Sequence, residues 1–177
     1  HYPLRRQRQM CIRDRSGADE ACLDGSADLV IAARVPEGHL GDVLIEVEFV
    51  AVAHPEHPLH RLGRVIEADD LRQAQQVVLR DSGTMAPRDE GWLGSTRRWT
   101  VTGMGTALSM VAAGLGFAWL PRHLVQARID AGEIAPLPLR EGQRRKAPLH
   151  LIFVQPELAG PATRQLAVVL AQTVNQS

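Results

Sequence analysis

The sequence predicts an α/β fold in which short apolar strands alternate with amphipathic helices. Two further observations support this class. The 177 residues are 45% hydrophobic, which is enough to fill the core of one domain or of two small lobes. The segment 101–121, VTGMGTALSMVAAGLGFAWLP, places a strand end, a helix and a second strand in direct succession. This segment also carries the strongest functional signal in the chain.

The start of the helix in segment 101–121 is the first candidate ligand site. Apolar residues follow at helical spacing and two glycines stop the helix: Met104, Leu108, Val111 and Ala112, then Gly114 and Gly116. Thr102 and Thr106 are candidate capping hydroxyls, and the intervening glycines leave the first backbone N–H groups open to an anion. An ordinary capped helix is the alternative interpretation. Residues 117–120 then predict a buried parallel strand, closed by Pro121.

A second candidate lies near the front of the chain. Residues 18–24 predict the end of a helix that Gly25 stops, and residues 29–33 predict a short apolar strand. Arg34 follows this strand directly. Because ligands of open α/β sheets bind beyond the carboxyl ends of strands, Arg34 is a candidate ligand contact. A solvated loop arginine fits the pattern equally well.

Residues 43–53 predict a long strand, exposed at first and buried later, that runs into three evenly spaced histidines. Imidazoles are good zinc ligands, so His54, His57 and His60 raise the question of a metal site. However, the two intervening prolines prevent a regular helix from presenting all three on one face, and no cysteine or carboxylate pattern completes a ligand set. We therefore predict no metal here.

A cluster of polar residues follows the next predicted strand. Residues 67–72 form a short predicted helix and residues 76–79 a strand, which ends in Arg80-Asp81-Ser82-Gly83-Thr84. Hydroxyls and a glycine at a strand end suit contacts to a small ligand, although an ordinary turn uses the same residue types.

The remaining elements are predicted from apolar spacing and from breaker residues. Residues 85–95 predict an irregular segment in which Trp92 anchors against the core, and residues 98–102 predict a strand. Residues 121–132 predict a helix from Pro121 to Gly132, and residues 134–139 predict a proline-containing edge strand. A polar loop over residues 140–148 carries the basic residues Arg144, Arg145 and Lys146, and it is followed by a strand over residues 149–154 and a final helix over residues 160–174. We interpret the basic run in the loop as a solvated surface feature.

The first 17 residues differ from the rest of the chain. They contain five arginines and one aspartate, and without them the chain has 15 basic and 19 acidic residues. Because this stretch shows neither helical nor strand periodicity, we predict a disordered or foreign leader; a nucleic-acid-binding arm is the less favoured alternative. Cys11 and Cys22 lack the number and spacing of a disulfide framework, which favours free thiols. No apolar run reaches membrane-spanning length and no secretion signal is evident, so the expected location is cytoplasmic.

SMVAAGLGFAWLPRHLV followed by GEIAPLPL resembles the effector-binding domain of LysR-type transcriptional regulators. Three further blocks agree in the same order: CLDGSADLVIAA, FVAVAHPEHPL and PLHLIFVQPELAGPATRQLAVVL. Together these blocks cover about residues 20–175. The resemblance implies an α/β, two-lobed, periplasmic-binding-protein-like (type 2) fold with Rossmann-like lobes, the first of them incomplete.

The resemblance also implies a domain organisation. Residues 1–17 would be the leader, residues 18–54 and 148–177 the partial first lobe, and residues 58–147 the second lobe. His54–Leu59 would be one crossover and the segment 144–149 the other. Strand 149–154 should then pair with strand 29–33 or strand 43–52, and not with residues 134–137. The helix-turn-helix of the family is not in this sequence, so the chain alone is not expected to bind DNA.

The implied function is sensing of a small, anionic effector bound between the lobes. The predicted effector contacts are Arg34, Ser82, Gly83, Thr84, Met104, Gly105 and Thr106. No cofactor is expected, and in the full-length regulator we expect a homodimer or homotetramer that holds promoter DNA. A solute-binding protein of a transport system shares the two-lobed plan and is the alternative. Catalysis by the histidines, Asp81 or Ser82 is not predicted, because the chain has no G-x-S-x-G, H-E-x-x-H or phosphate-loop motif.

Overall fold

The computed structural model describes residues 9–12, 15–79 and 94–175. In chain order, the elements are β1 (Gln9–Ile12), α1 (Arg15–Asp24), β2 (Ala27–Ala32), β3 (Gly41–Ala53), α2 (Ala68–Gln73), β4 (Gln75–Leu79), β5 (Arg97–Val101), α3 (Met104–Ala112), β6 (Ala118–Pro121), α4 (Arg122–Asp130), β7 (Ala135–Pro136), β8 (Arg144–Phe153) and α5 (Pro161–Asn175). Short 3₁₀ turns cover His60–Leu62 and Pro156–Leu158. Of the helices that the structure describes, none combines the length and apolar character required to cross a bilayer.

The chain divides into two compact units. Among the described residues, the first unit extends to Glu46 and resumes at Pro148, and the second runs from Val47 to Ala147. The sequence predicts that the first lobe continues to residue 54, with the crossover at His54–Leu59. The structure instead changes unit within β3, because Val50–Ala53 already pack in the core of the second unit. The chain returns to the first unit within β8, between Ala147 and Pro148.

In the first unit, β2 pairs with β1 on one side and with β8 on the other. The β2–β8 ladder is antiparallel and runs from Leu29 opposite Phe153 to Ala32 opposite His150. This ladder confirms the predicted pairing of strand 149–154 with strand 29–33. The core of this unit consists of small and β-branched side chains from α1, β2 and β8: Ala18, Ala21, Cys22, Ala27, Val30, Ala32, Ile152 and Val154.

The leader prediction is wrong for the part of that segment that the structure describes. β1 pairs in parallel with β2, and α1 begins at Arg15, so residues 9–12 and 15–17 belong to secondary structure of the first unit. A four-residue strand is too short to show periodicity in the sequence, and its pairing partner lies beyond the following helix. Residues 1–8 lie outside the described part of the chain.

The second unit places a sheet between two apolar layers. Successive side chains of a strand point to opposite faces, and β3 follows this rule: Val50 and Val52 pack with α3 and α4, whereas Ala51 and Ala53 pack on the α2 side. Ala118 and Leu120 of β6 repeat the alternation opposite Phe117 and Trp119. The two layers hold β3 and β6 in a fixed register.

The direction of β6 differs from the prediction of a parallel strand. β6 pairs antiparallel with β3, from Phe49 opposite Pro121 to Val52 opposite Ala118. It is parallel only at its start, where Phe117 forms an isolated bridge with Gln76 of β4. The apolar run predicts burial, but strand direction depends on the partners that the fold supplies.

The basic run Arg144–Lys146 also differs from its prediction, because it begins β8 rather than lying in a loop. The guanidinium group of Arg144 lies 3.5 Å from Oε1 of Glu48, and the other carboxylate oxygen, Oε2, accepts a hydrogen bond of 3.2 Å from Arg122. The guanidinium of Arg145 lies 5.5 Å from the centre of the Phe49 ring, within range of a cation–π contact. The side chains of Arg144 and Arg145 therefore contact residues of β3.

Candidate ligand site at the start of α3

The parallel pair β4–β5 positions the candidate site in the second unit. The register runs from Gln75 opposite Arg97 to Leu79 opposite Val101, so both strands end side by side. Only two residues separate Val101 from Met104, the first residue of helix α3, and the second of them, Gly103, is the N-cap. The carboxyl ends of β4 and β5 and the start of α3 therefore share one edge of the unit, where ligands of α/β folds bind.

The opposite end of this strand pair is anchored by hydrogen bonds. The buried hydroxyl of Ser95 lies 2.6 Å from the carbonyl oxygen of Ala74, directly before β4. The backbone N–H of Thr96 donates to the carbonyl of Arg72 at 3.0 Å. Because these hydrogen bonds join the amino ends of β4 and β5, the carboxyl ends of the two strands also lie next to each other.

Helix α3 is fixed by its apolar face and open at its first turn. Ala107 and Val111 are buried in the core, while Gly105 and Thr106 are exposed. The prediction that Thr102 or Thr106 caps the helix is wrong, since the extended Gly103 is the N-cap. Because glycine has no side chain, the N-cap residue itself offers no oxygen to the positive end of the helix dipole, an arrangement that favours a bound anion.

The structure brings together three of the predicted effector contacts. Met104, Gly105 and Thr106 form the first turn of α3. The side chain of Met104 packs against the core, so its possible contribution to binding is its backbone N–H. Arg34 is exposed in the loop after β2, in the first unit. Three predicted contacts, together with Asp81, lie outside the described residues: Ser82, Gly83 and Thr84.

The histidine segment lies entirely in the second unit and consists of consecutive turns. The backbone N–H of His57 donates to the carbonyl of His54 at 2.8 Å, and the N–H of His60 donates to the carbonyl of His57 at 2.9 Å. Nδ1 of His57 accepts a hydrogen bond from the N–H of Leu59. In the part of the chain that the structure describes, no group of three or more potential ligand side chains is arranged to hold a metal ion. The geometry assigns these histidines to the turns that follow β3.

Burial lowers the pKa of both inner histidines. For His57, burial is the largest cause, and the nearby His60 and His54 lower the pKa further. For His60, burial lowers the pKa, and a backbone hydrogen bond at Ala135 opposes the shift. Nε2 of His60 is buried and has no hydrogen-bond partner among the described residues. Both rings are therefore packed in their neutral form.

This packing predicts that the protein loses stability in mild acid. In the unfolded chain these histidines have their ordinary pKa of about 6.5, whereas in the folded chain their pKa is lower. Below about pH 6.5 the unfolded chain therefore binds more protons than the folded chain, and the melting temperature should fall as the pH drops. His57→Asn removes one titrating group and keeps an acceptor for the N–H of Leu59. Thermal unfolding from neutral to mildly acidic pH should then show a shallower decline than in the wild type. An equally steep decline in the variant would assign the acid sensitivity to other groups.

Comparison with known proteins places this architecture in a recognised class. Two mixed α/β units, with β3 and β8 each running from one unit into the other, are typical of a periplasmic-binding-protein-like type 2 fold, and this chain has that fold. The model of the LysR substrate binding domain matches residues 9–175, and the chain belongs to this family. The match includes β1 and the start of α1. This family consists of the effector-binding domains of transcription regulators. No curated protein sequence matches the chain.

Solved structures of LysR-type regulators share the fold. ArgP from Mycobacterium tuberculosis has a TM-score of 0.68 at 15% identity, covering 93% of this chain and 55% of that protein. Full-length LysG from Corynebacterium glutamicum with bound effector Arg has a TM-score of 0.64 at 16% identity, covering 89% and 54%. The CcmR regulatory domain from Synechocystis PCC6803 in complex with 2-PG has a TM-score of 0.67 at 16% identity, covering 91% and 80%. The chain thus spans about half the length of the full-length regulators.

Proposed function

We propose that this chain is the ligand-sensing part of a LysR-type transcriptional regulator and that it binds a small anionic effector. The observation that carries the proposal is the exposed first turn of α3, with a glycine as its N-cap, at the carboxyl ends of β4 and β5, in a chain of this family. Two similar structures hold small molecules, Arg in LysG and 2-PG in CcmR, which supports sensing of a small molecule here. A transport solute-binding protein is less well supported, because the family match is to regulators.

The proposed contacts follow from this geometry. The backbone N–H groups of Met104, Gly105 and Thr106 would hold the anionic group, each contact contributing about 0.3–1 kcal/mol, or up to ~2 kcal/mol when partly buried. Ser82, Gly83 and Thr84 would add hydroxyl and backbone contacts, because they follow β4 closely in sequence. Arg34 would supply a positive charge. None of these roles involves covalent chemistry, so the chain would act by binding alone.

Binding would then control a DNA-bound oligomer of the full-length regulator. In such a protein, a helix-turn-helix region would contact promoter DNA in the cytoplasm, and a homodimer or homotetramer would respond to the effector. A ligand can shift this equilibrium only through different affinities for the two states of the regulator. The proposal therefore requires that effector binding to this chain changes the contacts between subunits.

Gly105→Trp is the most direct test of the site. Apart from its own helix turn, a Cβ at Gly105 would meet no atom of the described residues within 4 Å, so the variant should fold while the indole covers the start of α3. Isothermal titration calorimetry with a panel of small carboxylic acids, arginine and 2-PG should identify a ligand of the wild type whose affinity falls at least about tenfold in the variant. Leu124→Trp, at an exposed position of α4, is the matched control and should bind normally.

Ser82→Ala and Thr106→Ala refine the test. Thr106 is exposed and does not cap α3, so its loss should change ligand affinity without lowering stability by the ~1 kcal/mol typical of a lost cap. If binding survives Gly105→Trp and Ser82→Ala unchanged, the effector binds elsewhere and the proposed site is wrong.

A further inference from the structure

The second unit contains a cleft that is separate from the start of α3. Its volume is about 420 Å³, within the range of about 300–1,000 Å³ that is usual for small-molecule sites. Four apolar side chains from distant parts of the sequence line it: Ile66, Leu71, Trp119 and Leu139. Three of these are buried in the same core cluster, and Trp119 packs against that cluster. The cleft thus has an apolar floor supported by the core.

The ring of Trp119 is held in place by two contacts. Its Nε1–H donates to the carbonyl oxygen of Gly142 at 2.8 Å. It also forms an edge-to-face pair with Phe117, at a ring-centre distance of 5.6 Å and an interplanar angle of 71°. Because its polar N–H is already satisfied, the indole offers an apolar surface to the cleft and needs no further hydrogen-bond partner.

The cleft also has a positively charged group available for a ligand. Arg145 lines it, and the cation–π contact with Phe49 positions the guanidinium. Among the described residues, the side chain of Arg145 forms no ion pair and no hydrogen bond. The second lining arginine, Arg140, forms a salt bridge of 2.9 Å with Glu67, which compensates that carboxylate. Glu141 is the second acidic residue on the lining of the cleft.

We propose that this cleft is a second ligand site for a small carboxylate with an apolar or aromatic body. The body would lie against Trp119 and Leu139, and the carboxylate would receive hydrogen bonds from the fork of Arg145. A larger and more open cleft of about 780 Å³ near His57 also has arginines on its lining, Arg72 and Arg97, but its described lining residues include no phenylalanine, tyrosine or tryptophan against which the body of such a ligand could lie. The proposal does not depend on the effector site at α3.

Phenylacetate and its neutral analogue phenylacetamide test the chemistry of the site. Phenylacetate, titrated into the 177-residue chain up to the millimolar range, should bind and change the tryptophan fluorescence. Trp119→Phe should abolish the fluorescence response, since Trp119 lies on the cleft. Phenylacetamide should bind at least about tenfold more weakly, because it cannot form the charge-assisted hydrogen bonds. Equal binding of both compounds would contradict the role of Arg145.

Matched variants then locate the binding. Arg145→Ala should weaken phenylacetate binding about tenfold or more, whereas Arg144→Ala removes the neighbouring charge outside the cleft and should have little effect. Ala68→Phe adds a ring to the cleft lining without changing any charge, and it should also block binding. Circular dichroism checks that each variant is folded.

Gly105→Trp should leave phenylacetate binding unchanged, which separates this site from the one at α3. Absence of phenylacetate binding, or binding that persists in both Arg145→Ala and Ala68→Phe, would overturn the proposal.

Discussion

Replacing Gly116 with alanine is expected to lower the free energy of unfolding by about 1–3 kcal/mol, the usual cost of forcing an atom into a well-packed core. A Cβ at Gly116 would lie 2.6 Å from the carbonyl oxygen of Gln75 and 3.3 Å from Cγ2 of Val77. The Gln75 oxygen cannot simply move away, because it accepts a 3.0 Å hydrogen bond from the N–H of Phe117. The substitution therefore strains the bridge between β4 and the start of β6.

Gly105→Ala is the matched control for this prediction. The added methyl group meets no atom of the described residues within 4 Å outside its own helix turn, and alanine is favoured over glycine within a helix by about 0.5–1 kcal/mol. In urea denaturation, the free energy of unfolding should therefore fall for Gly116→Ala and rise for Gly105→Ala, although both substitutions lie in the same sequence segment. A Gly116→Ala variant as stable as the wild type would show that β4 and β6 do not approach as closely as described here.

Phe117→Ala is expected to be more damaging, with a loss of about 3–5 kcal/mol, as is typical for deleting a fully buried aromatic ring. Phe117 is 0% exposed and packs with residues from β3, α2 and the segment 137–139. Its ring also forms the edge-to-face pair with Trp119. Deleting the ring would leave a cavity on the α2 side of the sheet and remove one support of Trp119.

The variant Phe117→Leu distinguishes the cost of the lost side-chain volume from the cost of the lost ring contact with Trp119. Leucine retains most of the buried apolar volume, so its cost should be clearly smaller than that of alanine. Near-ultraviolet circular dichroism should still change, since the tryptophan signal depends on the lost ring pair. Equal losses of stability in the two variants would mean that the cavity is not the main cost and would contradict the packing argument.

Several elements could be predicted because their own residues determine them. The apolar spacing of Leu108 and Val111 marks one face of α3, and Gly114 ends that helix with a left-handed backbone, at φ of 75°. The pattern of β3, polar first and apolar later, matches a strand that is exposed in its first half and buried in its second. Periodicity of this kind survives in a sequence because each side chain either faces the core or faces water.

Other features could not be predicted because they depend on distant partners. β1 is recognisable as a strand only through its pairing with β2, which follows α1. The antiparallel direction of β6 depends on its neighbour β3, and the crossover point depends on which core receives Val50–Ala53. Residue type alone predicts a threonine cap for α3, whereas the backbone conformation makes Gly103 the N-cap.

The sequence by itself determined the family, the α/β class and the glycine-flanked start of α3, because these depend on local patterns along the chain. Only the tertiary structure decided that the ends of β4 and β5 lie side by side next to that helix start. It alone brought Trp119 and Arg145 onto one cleft with Ile66 and Leu139. The physical reason is that packing and strand pairing join residues that are far apart in the chain, and no local pattern records those contacts.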